Sequence, residues 1–185
     1  MTMRAMSPRI LLLLALLVTV IFAQSANQTA GSTVAHTIAA NGNAQIDAAQ
    51  LKFGSASGLF DGSGDYASTP DSADWHFGSG DFTIDLWVRF NSLPGSGGAM
   101  FIYSQRVDDN NRVSFFLYTD AGTYKWWFRA FSGGVNLIDV LKNTAVLATG
   151  TWYHVAVVRN GNNFMVFQDG AQCGTTVTDS DSIPD

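Results

Sequence analysis

The sequence predicts an all-β fold, a two-sheet antiparallel sandwich of jelly-roll type, on three observations. Short apolar and aromatic runs alternate with period two, most clearly in Asp81–Phe90. Glycine-centred turn pairs punctuate the chain at roughly ten-residue intervals, the spacing of hairpin-linked strands. No segment shows a sustained helical period, and the residue choice (18 Gly, 13 Phe, 14% charged) favours turns and pleated surface over helix.

The N-terminus carries an address. Arg4 and Arg9 precede an apolar run, Ile10–Phe22, and Ala23-Gln24-Ser25 places small residues ahead of a cleavage point before Ala26. This is the layout of a secretory signal peptide, residues 1–25. Its apolar core would span about 20 Å as a helix, short of the ~30 Å of a bilayer interior. An uncleaved anchor is the alternative. No later run is long or apolar enough to span a membrane, so none is expected after cleavage. Residues 26–49 are small and polar and read as a linker or a first edge strand, centred on Val34–Ile38. The sandwich is expected over residues 50–185.

Within it, Gly58–Asp61 and Asp65–Ser68 flank the turn Gly62-Ser63-Gly64. Residues Thr69–Gly80 are irregular, with Trp75 and Phe77 as anchors of a polar loop. In Asp81–Phe90, Phe82, Ile84, Leu86, Val88 and Phe90 point one way, and Asp81, Thr83, Asp85, Trp87 and Arg89 the other. Strands follow at Met100–Gln105, Arg112–Thr119 and Tyr124–Phe131. Phe115-Phe116 and Trp126-Trp127 are neighbours in sequence, so each pair puts one ring in the core and one on the second face. Val140–Leu147 has a faint helical look. The meander Thr151–Gly170 then runs strand, Asn160-Gly161 turn, strand, Asp169-Gly170 turn.

Charge and chemistry narrow the function. The net charge is −5, every one of the 15 acids is Asp, and only three Lys are present. Nucleic acid is excluded as a partner, because nothing here could neutralise a run of phosphates. Cys173 is the single cysteine, so no internal disulfide forms. Asp81 and Asp85 share a strand face about 13 Å apart, whereas paired glycosidase carboxylates sit roughly 5–9.5 Å apart. His36, His76 and His154 are scattered, no Ser lies in a G-x-S-x-G elbow, and no Cys/His pair has zinc spacing. The protein is therefore expected not to be an enzyme. Two sites remain. Trp87, between Asp85 and Arg89, suits a sugar platform, an aromatic ring beside hydrogen-bonding groups, and one of Trp126 or Trp127 could join it. Asp108, Asp109 and Asn111 gather hard oxygen ligands before a strand and suit calcium, with Asp61 and Asp65 as a second candidate.

The blocks FDGSGDYAS (Phe60–Ser68), GDFTIDLWVRF (Gly80–Phe90) and TWYHVAVVRNGNNFMVFQDG (Thr151–Gly170) resemble, in order and spacing, the laminin-G-like domains of the concanavalin A-like lectin/glucanase superfamily. The resemblance implies a jelly roll that binds glycans or extracellular proteins, often with calcium at the rim. It also implies closing strands beyond Asp185, hence a C-terminally incomplete copy with unpaired edges prone to self-association. Enzymes of the superfamily use a glutamate motif, which a chain without Glu lacks. The expectation is thus a secreted recognition module for a glycan or an extracellular protein. The alternatives are a structural element of a surface or virion protein, and a fragment of a larger glycan-active enzyme.

Overall fold

Strict alternation sorts this chain into layers, because successive residues of a strand face opposite sides. The computed structural model describes residues 9–12, 36–144 and 146–184. Its strands are β1 (Arg9–Leu12), β2 (Ala39–Asn41), β3 (Gln45–Asp47), β4 (Ser57–Leu59), β5 (Tyr66–Thr69), β6 (Phe82–Arg89) and β7 (Ala99–Arg106). There follow β8 (Arg112–Asp120), β9 (Thr123–Ser132), β10 (Val135–Asn143), β11 (Trp152–Asn160), β12 (Asn163–Gln168), β13 (Ala171–Gln172) and β14 (Val177–Thr178). Among the described residues the only helical element is a 3₁₀ turn, Ala73–Trp75, capped by the Ser72 side chain on the Asp74 N–H.

Two antiparallel sheets form the sandwich. One has seven strands in the order β10-β9-β8-β7-β1-β5-β2, and the other runs β13-β12-β11-β6 with β14 on β12. A short β3–β4 ribbon stands apart. Between the sheets lie Phe82, Ile84, Leu86, Val88 and Phe90 from one side and Val113, Phe115, Leu117, Trp126 and Phe128 from the other, all buried. Trp75 and Ile183 belong to the same buried core. Phe77 packs against it, with its ring 4.7 Å from that of Phe82.

The turns follow backbone chirality. Ala121-Gly122 (φ +47° and +82°), Gly133-Gly134 (+56° and +80°) and Asp169-Gly170 (+52° and +80°) each take two left-handed residues, as a type I′ hairpin requires. The β11–β12 turn differs from the expectation by one residue. Asn160 pairs with Asn163, so the loop is Gly161-Asn162, and of the two only Gly161 has positive φ, the pattern of a type II′ turn.

Three boundaries also move. Of the segment with a faint helical look, Val140–Asn143 completes strand β10, paired with β9. The expected edge strand at Val34–Ile38 lies partly outside the described residues, and the edge strand is β2, paired with β5. Most of the expected leader, and residues 26–35, also lie outside them. The four leader residues that are described, Arg9–Leu12, form β1, inserted between β5 and β7.

Candidate functional site

The sandwich separates the two tryptophan candidates onto opposite outer surfaces. On the five-strand layer, the outward residues of β6 meet those of β11 in register: Trp87 faces His154, and Arg89 faces Trp152. Asp85 Oδ2 lies 2.8 Å from His154 Nε2, and the His154 ring centroid is 5.3 Å from that of Trp87. The loop before β4 lies over this tryptophan. Lys52 Nζ sits 4.1 Å from its ring centroid, and the Phe53 ring meets it edge-on at 5.6 Å. Arg89 donates through Nε to Gly150 O at 3.1 Å and through Nη1 to Asn91 Oδ1 at 2.5 Å. Asp85, Trp87 and Arg89 do gather on one surface, but their polar groups and the tryptophan face are already engaged by the chain itself.

Trp126 leaves the candidate set. It is fully buried, and its indole N–H donates to Gln168 Oε1 at 3.0 Å. Its neighbour Trp127 takes the other side of β9, as alternation demands, and there it joins residues the sequence reading missed. Phe101, Phe116, Trp127 and Leu141 are directly opposed across β7, β8, β9 and β10. They form one row about 14 Å long at three strand spacings. Ring centroids along it are 4.7 Å (Phe101–Phe116) and 5.5 Å (Phe116–Trp127) apart, with Tyr118 5.2 Å from Trp127.

Polar groups line this row. The Trp127 indole donates to Asp139 Oδ1, and Asn136 Nδ2 donates to Asp139 Oδ2 at 2.7 Å. The Arg129 guanidinium stands 4.3 Å from the Trp127 ring centroid and 4.6 Å from that of Phe131. It lies 3.6 Å from Asp139, while its Nε, shielded from solvent, has no hydrogen-bond partner. The Arg112 guanidinium also stands over Phe131, 4.3 Å from its ring centroid. The hint available in the sequence was the adjacent aromatic pairs. The register that aligns them was not.

The acidic candidates are turn builders. Asp108 Oδ1 accepts from the backbone N–H groups of Asn110 and Asn111, both at 2.8 Å, and from Asn111 Nδ2 at 3.0 Å. These bonds, that from the Asn110 N–H foremost, hold its carboxyl below the ordinary value of 3.8. Asp109 is ion-paired with Arg106 and lies 4.0 Å from Arg112. Asn111 Oδ1 accepts from the Gly133 N–H at 2.9 Å, tying this turn to the β9–β10 hairpin. Asp65 is buried, its two carboxylate oxygens accepting from Asn43 N at 2.5 Å and Asp61 N at 2.7 Å. Among the described residues no three His, Cys, Asp or Glu side chains converge as a metal site would need. A calcium ion at Asp108–Asn111 would have to replace these contacts with six to eight oxygens.

The fold is an antiparallel two-sheet sandwich with aromatic side chains on both outer faces. The chain belongs to the concanavalin A-like lectin/glucanase superfamily, whose laminin-G-type profile matches residues 61–185. No curated protein matches the chain, and no solved structure does. The family points to a carbohydrate- or protein-binding module. No helix among the described residues is long and apolar enough to cross a membrane.

Proposed function

We propose that this protein is a secreted, non-catalytic recognition module that binds a glycan on the outer face of the seven-strand sheet. The observation that carries the reading is the cross-strand row Phe101–Phe116–Trp127 with Arg129, Asn136 and Asp139 beside it. The apolar faces of sugar rings stack on aromatic side chains, and their hydroxyls need convergent donors and acceptors. This surface carries both, with Phe101 and Trp127 partly exposed on either side of the buried Phe116. Export is supported by the basic start, short apolar core and small-residue exit of residues 1–25. The non-catalytic reading rests on a chain without Glu and on Asp85 being paired with His154 rather than with a second carboxylate. The turn at Asp108, Asp109 and Asn111 remains the place where calcium would act.

A glycan array probed with the purified chain, with calcium and with a chelator, tests the proposal. Trp127→Ala should lower affinity for any glycan bound by ten-fold or more, whereas Trp87→Ala should change it less than two-fold. Binding untouched by Trp127→Ala, or no glycan bound in either condition, would refute it. The second reading, an assembly element, is favoured by β6, an eight-residue strand at the edge of its sheet. A concentration-dependent dimer in light scattering would support that reading.

A further inference from the structure

A shallow recess lies where the β3–β4 ribbon stands against the ends of β6 and β11. Its volume is about 280 Å³, and it opens to solvent. Asp47 and Gln50 line it from the ribbon side, and Arg89, Asn91 and Trp152 from the sheet side. Trp152 differs from the other tryptophans. Among the described residues, Trp75, Trp87, Trp126 and Trp127 each have another ring against them. Trp152 is half-buried, opposite Arg89 in the ladder, and neither a ring nor a cation stacks on it.

The polar groups of the recess are positioned by the chain but not used up by it. Arg89 is held by two hydrogen bonds, from Nε to Gly150 O and from Nη1 to Asn91 Oδ1, and its Nη2 carries none. Because the Asn91 oxygen is taken, its Nδ2 is left to donate elsewhere. Asp47 Oδ1 accepts from the Ala49 N–H at 2.7 Å, which leaves Oδ2 as an acceptor. The exposed Gln50 offers both a donor and an acceptor. One carboxylate and one guanidinium cancel in charge, so an anion or a cation entering here meets one group of its own sign. Hydroxyl groups meet no such penalty, since each of them both donates and accepts.

We infer that this recess binds a neutral, polyhydroxylated ligand the size of one sugar ring, at a site separate from the seven-strand face. The apolar side of such a ring rests on Trp152, and its hydroxyls pair with Asp47, Gln50, Asn91 and Arg89 Nη2. The ribbon wall is free to adjust to it. Among the described residues, no hydrogen bond joins residues 45–59 to β6 or β11. Lys52 and Phe53, resting on Trp87, hold the ribbon there instead. A ligand bonded to both walls supplies the polar ties that ribbon and sheet lack.

The test is a titration of the ¹⁵N-labelled full chain with D-glucose, D-galactose, D-mannose and D-gluconate, following the Trp152 indole N–H signal. At least one hexose should move that signal saturably in the millimolar range, and gluconate should bind more weakly than that hexose. Asp47→Ala/Gln50→Ala removes two side chains of the ribbon wall, and its fold is checked by circular dichroism. It should weaken binding at least ten-fold, whereas Trp127→Ala should leave it within two-fold. The Trp152 signal and the Trp127 signal report different faces, so failure of one site is told apart from failure of the other. No saturable shift with any hexose, tighter binding of gluconate, undiminished binding by Asp47→Ala/Gln50→Ala, or loss of binding in Trp127→Ala would each overturn the inference.

Discussion

At the scale of single residues, Asp65 does more than its place beside a glycine turn suggests. Its buried carboxylate joins two loops by accepting one backbone N–H from each, those of Asn43 and Asp61. Gly42 sits against it so closely that a Cβ there would lie 2.6 Å from Asp65 Oδ1, in a backbone with φ of +67°. Asp65→Ala leaves both N–H groups without their partner. It should cost about 1–3 kcal/mol, read as a lower denaturation midpoint with an unchanged slope. Asp61 and Asp108 give a pH signature. Both are held below the ordinary carboxyl value of 3.8, Asp61 mainly by the Asn43 side chain and Asp108 mainly by the Asn110 N–H. A depressed folded-state value means that the contribution is complete above pH 3.8 and is lost as pH falls through the folded value. Amide resonances of Ser63 and Asn110 should therefore shift at a pH below that of an unperturbed aspartate. A midpoint at or above 3.8 would contradict the assignment.

At the scale of elements, turn chemistry explains where the chain folds back and where it is strained. Ala121 holds φ of +47°, a conformation that penalises a Cβ by roughly 1 kcal/mol or more. Ala121→Gly, or Ala121→Asn, should raise the melting temperature by a few degrees, with no change in the β8–β9 register. A drop would mean that the hairpin is not of type I′. Much of this level was legible in advance. The alternation in Phe82–Arg89 became a strand with alternating burial, and the paired aromatics split between the core and the second face as neighbours on a strand must, with Phe116 largely covered there. What eluded the reading was register. Nothing in the sequence says that Phe101 stands opposite Phe116 in the row with Trp127, because an irregularity in the β7–β8 pairing, after Phe101, interrupts the register there. The β11–β12 turn was displaced for a related reason: Gly161 serves a type II′ loop as well as a type I′ one, and only the ladder fixes which.

At the scale of the whole molecule, the two sheets share a core but present unlike outer faces. The face of β6 and β11 is closed over by Lys52, Phe53 and the Asp85–His154 pair. The face of β7 to β10 carries an aromatic row edged by Arg112, Arg129 and Asp139. Trp87, the most conspicuous candidate in the sequence, is the weaker one because a loop from elsewhere in the chain covers it, whereas the Arg129 and Asp139 groups that engage Trp127 belong to its own sheet. A tryptophan between two charged residues on a strand looks like a binding platform until the loop that covers it is placed, and that loop lies over thirty positions earlier in the chain.

The most direct measurement is a titration of the ¹⁵N-labelled chain with the tightest glycan from the array, following the tryptophan indole N–H signals. Trp126 and Trp127 are adjacent in sequence and on opposite sides of one strand, so each controls for the other. The account predicts that the Trp127 signal moves in proportion to saturation while those of Trp126 and Trp87 stay in place. Movement of Trp87 with Trp127 unmoved would put the ligand on the other face and contradict it.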